Sequence, residues 1–232
     1  MKLARIASWT HKWLALIVGV QVLFWFASGL FFALSPIERV RSEHRIRETH
    51  AALSAADIAA TARIATPPGA AKLTLEARES GPVLIAEYHE GRGAFFDVRS
   101  GARLSPLDRA GAEAIARAHV IDPGSVREAR LVTEGNAEYR GALPAWRVQF
   151  GDSEGLAIYV AADTGRVTAR RSDLWRVYDA LWALHIMDWR DHENFNTGLL
   201  IVTTALALLM ALWGVVLLPY RLLSRRAQGA SE

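Results

Sequence analysis

The chain has 232 residues, 51% of them hydrophobic and 22% charged, with 27 Lys and Arg against 24 Asp and Glu and no cysteine. The missing cysteine excludes a disulfide framework, a thiolate metal site, an iron–sulfur cluster and c-type haem attachment, leaving His, Met or oxygen as the possible metal ligands. Nor is the net charge of +3 a nucleic-acid footprint, because residues 36–195 hold 21 basic and 23 acidic side chains and the positive excess lies in Lys2, Arg5, Lys12, Arg221, Arg225 and Arg226.

Residues 1–12 form a basic N-terminus, and residues 13–34 carry no charge. At ~1.5 Å per helical residue this second stretch reaches about 33 Å, the thickness of a bilayer core, and predicts a transmembrane helix. The same features suit a signal peptide cleaved near Ala27-Ser28-Gly29, but the apolar run continues through Phe31, Phe32 and Leu34, which favours an uncleaved anchor. His11 and Gly29 fall on one line of this helix with Trp25 about 40° away, while Gln21 and Ser28 lie about 80–100° to the side. An apolar helix that keeps His, Gln and Ser is expected to turn them toward protein.

Residues 35–53 read as a charged juxtamembrane helix, because signs alternate from Glu38 to Glu48. Residues 54–105 form a first repeat: an Ala-rich helix capped by Ser54 and Asp57, then strands 72–77, 83–89 and 93–98, with turns at Ser80-Gly81-Pro82 and Glu90-Gly91-Arg92. Residues 106–172 form a second, with a helix over 105–120 and strands 126–133, 145–151 and 155–161. Phe95 to Gly101 aligns without gaps on Tyr159 to Gly165, an offset of 64 residues, and each stretch turns into a last strand. Two such helix-then-antiparallel-sheet repeats predict an α+β domain.

Residues 173–190 carry Leu174, Val177, Tyr178, Leu181, Trp182 and His185 on a single stripe, which predicts an amphipathic helix lying along the membrane surface. The uncharged residues 196–220 predict a second transmembrane helix, and residues 221–232 a tail. In this helix Thr203 or Thr204, Ala207, Ala211 and Gly214 form a small-residue stripe suited to close approach of the first span or of another chain. Basic residues before span one and after span two place both termini in the cytoplasm of a bacterial inner-membrane protein and the central domain in the periplasm. Trp9, Trp13, Trp182, Trp189, Trp213 and Tyr220 fit interfacial aromatic belts.

Tyr159 to Val167, preceded by Ala145 to Phe150 and the helix from Asp108, resembles a PepSY domain with its Asp-Thr-Gly turn. His11-Lys12-Trp13-Leu14, with Trp25 and Ser28-Gly29, is similar to the first span of PepSY-associated transmembrane proteins, and Leu184-His185 resembles their C-terminal Leu-His motif. The resemblance covers nearly the whole chain. It implies either a part in haem-dependent reduction of ferric siderophores, which larger relatives with four or more spans carry out, or a propeptide or peptidase-inhibitor role.

His11 and His185 are the candidate site residues. Neutral imidazoles in apolar surroundings suit the axial positions of a b-type haem; the other reading makes His11 an interfacial residue and His185 a packed one. A span length of roughly 30 Å separates them, so a homo-oligomer or a membrane partner is needed to complete one iron's ligands. His44, His50, His89, His119 and His192 are expected at the surface, and Asp191-His192-Glu193 is at most a weak cation site. No hydrolase, phosphate-loop or dinucleotide motif appears. The chain is thus expected to be an accessory or electron-transfer subunit in iron, siderophore or redox metabolism, if an enzyme then a haem-dependent reductase component. The alternative is a membrane-anchored module that binds a periplasmic protein or inhibits a peptidase.

Overall fold

The computed structural model describes residues 2–48, 50–66, 68–89 and 91–229. Glu90 of the expected turn and residues 230–232 of the tail lie outside the described residues, as do the side chains of Lys2, Tyr220, Arg221, Arg225 and Arg226. In chain order, α1 (Lys2–Leu34) is followed by α2 (Ile37–Val40) and a 3-10 turn at Glu43–Arg45. Next come α3 (Ala55–Ala60), a 3-10 turn at Thr61–Arg63, β1 (Lys72–Glu76), β2 (Val83–Glu87) and β3 (Gly93–Asp97). α4 (Arg109–His119) leads to β4 (Val126–Val132), β5 (Ala145–Phe150), β6 (Ala157–Ala161) and β7 (Val167–Arg171), and the chain continues through α5 (Asp173–Ile186) and α6 (Gly198–Gly229). These elements form two compact units, Met1–Pro36 with Tyr178–Glu232, and Ile37–Val177.

The first unit is helical. Two of its helices, over Arg5–Leu34 and Gly198–Pro219, are long and apolar enough to cross a membrane. They pack on each other where Gly214 meets His11: a β-carbon added at Gly214 would lie 3.2 Å from His11 Cε1. Of the small-residue stripe, Thr203, Ala207 and Gly214 are partly covered, whereas Thr204 and Ala211 are exposed, so one edge of the stripe faces α1.

α5 stops at Ile186, four residues before the expected end, and a Schellman turn explains why. Met187 takes the left-handed conformation at φ 55°, the Asp188 amide reaches back to Ala183 O at 3.0 Å, and the Met187 amide reaches Leu184 O at 3.4 Å. α6 then begins at Gly198, capped by Thr197, whose hydroxyl accepts the Leu200 amide at 3.2 Å.

The second unit is α+β, with two antiparallel sheets ordered β1-β2-β3 and β4-β5-β6-β7. α4 covers the larger sheet, burying Ala112, Ala116 and Val120 against Val148, Phe150, Ile158 and Val160. The smaller sheet buries Leu84, Ala86, Ala94 and Phe96 with Ile64. The 64-residue repeat is visible in its backbone: Gly101 N bonds Asp97 O and Gly165 N bonds Ala161 O, both at 2.8 Å. Likewise Asp97 N bonds Ala102 O and Ala161 N bonds Arg166 O, both at 2.9 Å. Gly101 and Gly165 sit at φ 73° and 61°, a conformation that costs glycine nothing.

The repeats diverge at their last strand. Val160 pairs with Val167 inside β6 and β7, but the equivalent Phe96 and Arg103 form only an isolated bridge. Pro106, three residues on, has no amide to donate to a ladder, and the Ser105 hydroxyl takes the Phe95 amide instead. The helix expected from 105 starts instead at Arg109, where Asp108 caps it by accepting Gly111 N at 2.7 Å. The charged helix expected over 35–53 is likewise reduced to α2 and one 3-10 turn, since Pro36 blocks continuation of α1.

Candidate functional site

The last turns of α5 carry most of the polar chemistry of the helical unit. Tyr178, Trp182 and His185, at i, i+4 and i+7, converge on Phe32 of α1 with ring centroids 4.6, 6.0 and 5.5 Å away. The Trp182 and His185 rings are parallel within 3° at 6.4 Å, and Trp25 lies 6.4 Å from His185 on another side.

A helix end leaves carbonyls without partners, and here α1 supplies donors to them. Gln21 Nε2 donates to Leu184 O at 3.2 Å and Trp25 Nε1 donates to His185 O at 2.6 Å. Gln21 and Ser28, two of the polar residues expected to face protein, therefore both do. Ser28 is 1% exposed; its hydroxyl donates to Phe24 O at 2.6 Å, and its oxygen lies 2.7 Å from His185 Nδ1. A hydroxyl already donating to a carbonyl must accept from the ring, so Nδ1 carries the proton and Nε2 keeps its lone pair. Among the described residues Nε2 has no hydrogen-bond partner.

His11 repeats this arrangement. Its Nδ1 lies 2.9 Å from Met210 O on α6, an acceptor only, so in the neutral ring Nδ1 again holds the proton, and Nε2 has no partner among the described residues. The two histidines are not brought together. Ser28, which holds His185, is 17 residues from His11 along the continuous helix α1, about 25 Å.

The loop between α5 and α6 is organised by two acids that the sequence reading passed over. Asp188 is 7% exposed and takes four backbone amides, those of Arg190 and Asp191 on Oδ1 and those of Glu193 and Asn194 on Oδ2, at 3.0–3.3 Å. These bonds hold its carboxyl down at about 2. Asp179 Oδ2 lies 2.6 Å from His192 Nδ1, and Trp182 Nε1 donates to His192 O at 3.1 Å. His192 is therefore no free surface residue. The polar run Asp188 to Asn196 after an apolar stripe was the available signal for such a capped loop.

In the α+β unit, Arg166 lies 2.7 Å from Glu76 of β1 and also pairs with Glu87 of β2, and Arg78 donates to Gly165 O at 2.9 Å and Thr164 O at 3.1 Å. This network joins the two repeats. Burial raises the Glu76 carboxyl, but the hydrogen bonds from Arg78 and Arg166 outweigh it and hold the group below its ordinary value. His44 meets Glu154 at 3.2 Å, while His50 and His89 are exposed as expected. His119 is partly buried, with Nε2 enclosed and unpartnered. Among the described residues no group of three His, Asp or Glu side chains is placed to hold a metal ion.

No family model, no curated protein and no solved structure matches the chain. The residues themselves carry the functional argument.

Proposed function

We propose that this is a two-span inner-membrane protein of the PepSY-associated kind, with both termini in the cytoplasm. It serves as an accessory or electron-transfer subunit in iron, siderophore or redox metabolism, in which His11 and His185 would each offer one imidazole ligand to a b-type haem in an oligomer. The observation that carries this reading is shared by both histidines: Nδ1 meets an acceptor, and Nε2 has no partner among the described residues. Metal-bound imidazoles need this arrangement, because the anchored N–H fixes the tautomer and the ring orientation while the other nitrogen donates.

The donor set fits the group in one respect and limits it in another. Phe32, Trp25 and Trp182 surround His185 with aromatic rings, as an apolar planar cofactor requires. Each histidine, however, is a single ligand separated from the other by about 25 Å of helix, so a second chain must supply the opposite ligand. When bound between two imidazoles, a haem supplies one-electron transfer. The chain's own contribution is to fix the ring through Ser28 or Met210 and to keep water from it.

The test is an optical spectrum of the purified, haem-supplemented protein in detergent, with stoichiometry. A Soret band that is lost or shifted in His185→Ala or His11→Ala, at no more than one haem per two chains for each site, supports the reading. Absence of the band, or a band unchanged in both variants, removes it.

A further inference from the structure

We propose that the cavity bounded by Arg41, Arg170, Arg171, His119 and Trp175 in the α+β unit is a binding site for a small oxyanion, a carboxylate or phosphate group. The cavity has a volume of about 360 Å³, and no carboxylate lines it among the described residues. That volume lies within the ordinary range of small-ligand sites.

Two of its arginines, Arg41 and Arg170, differ from several others in the same unit. Arg45, Arg78, Arg147, Arg166 and Arg176 each pair with an Asp or Glu. Arg41 and Arg170 have neither an acidic nor a hydrogen-bonding side-chain partner among the described residues. The third, Arg171, is held in place: its Nε donates to Glu138 O at 2.8 Å and its guanidinium lies 3.9 Å over the Trp175 ring. Arg41 and Arg170 thus bring two cations to a cavity with no acidic side chain among its described lining residues, and an oxyanion offsets that charge while accepting charge-assisted hydrogen bonds.

Two further features agree. Val167 to Arg171 lining the cavity is β7, an edge strand whose outer backbone groups face away from β6 and so offer additional donors. His119 also lines the cavity, and burial together with the nearby Arg170 holds its imidazole below its ordinary value, in the neutral form. An anion that neutralises Arg170 should raise it, which gives a spectroscopic reporter. By contrast, the neighbouring groove past Glu76, Arg78 and Arg166 has its guanidiniums already paired with Glu76 and Glu87.

The oxyanion has two possible sources, a soluble molecule or the phosphate of an anionic lipid, since Arg41 follows the end of α1 by only seven residues. The full-length protein would be titrated calorimetrically in neutral detergent with inorganic phosphate and with citrate, and reconstituted into nanodiscs of phosphatidylcholine with and without phosphatidylglycerol. The His119 ring resonances would be followed in parallel. Saturable binding in at least one anion arm is expected, with an upward shift of the His119 titration, and weakened about tenfold or more by Arg170→Gln and by Arg41→Gln. Arg117→Gln, at a residue that donates to Gly124 O outside the cavity, should leave binding unchanged. A response to phosphate or citrate identifies a soluble ligand, and one confined to phosphatidylglycerol discs a headgroup. Absence of saturation in every arm, or equal binding by wild type and both glutamine variants with unchanged unfolding midpoints, overturns the proposal. The site lies within one unit and does not rest on the haem reading.

Discussion

His185 Nδ1 and Ser28 Oγ, 157 residues apart in sequence, are 2.7 Å apart in space. The contact ties α5 to the middle of α1 through a hydroxyl that is itself committed to Phe24 O, so a one-atom change at residue 28 should alter the state of the histidine.

Ser28→Ala removes the acceptor of a His185 N–H in a place that water barely reaches. A loss of about 1–2 kcal/mol is expected in denaturant unfolding of the detergent-solubilised protein. The tautomer equilibrium of His185, read from its ring nitrogen shifts, should also become mixed, because nothing else in contact with Nδ1 selects one form. A His185 spectrum identical to wild type would contradict the assignment.

Gly214 admits His11 against α6. With a β-carbon the distance to His11 Cε1 is 3.2 Å, tighter than ordinary contact, so Gly214→Ala requires a small shift and Gly214→Leu must separate the helices or displace the ring from Met210 O. The expected cost of the leucine is about 1–3 kcal/mol, the range for overpacking. Gly198→Leu, where nothing lies within 4 Å, is the control and should cost far less. Thermal unfolding of the two variants side by side checks this.

Asp188 supplies a pH dependence whose sign follows from its amide bonds. Its carboxyl is lowered from 3.8 to about 2, so the unfolded chain takes up this proton first as pH falls. The stabilisation is complete above about pH 4 and disappears as pH falls through 4 toward 2. Unfolding midpoints of wild type and Asp188→Asn, measured between pH 7 and pH 2, should therefore converge at the acid end and differ most at neutral pH. A constant gap across that range would refute the role given to the carboxylate.

Arg166, at the turn of the second repeat, pairs with Glu76 of β1 and Glu87 of β2 in the first. Arg166→Met leaves Glu76 and Glu87 facing each other without it and should cost about 1 kcal/mol, modest because these side chains remain roughly a third exposed. Adding Glu76→Gln should recover part of that loss, since the repulsion goes with the charge. A double-mutant cycle in chemical denaturation measures the coupling, and strict additivity would mean that the network does not join the repeats.

The membrane-length helices, the α+β character of the middle and the 64-residue repeat were all legible in the sequence. Each depends on local pattern: an uninterrupted apolar run, alternation between turn residues, and glycine at a position that needs positive φ. Local pattern also marked Gln21 and Ser28 as facing protein, because polar side chains are costly on an apolar helix surface. The pattern misled where a single proline outweighed it. Pro36 broke the charged helix expected after span one, and Pro106 removed the last strand of the first repeat.

What sequence could not supply is the identity of partners far apart along the chain. That His185 answers to Ser28, His11 to Met210 O and His192 to Asp179 depends on which face of one helix meets which face of another, and side-chain periodicity defines the faces without pairing them. The same holds for Arg41 and Arg170, with which no acid among the described residues pairs. The absence of cysteine pointed to histidine as the residue to watch from the start. Only the folded chain decides which nitrogen of each ring is tied down and which is left to act, because that choice is made by an acceptor on a different helix or at another turn of the fold.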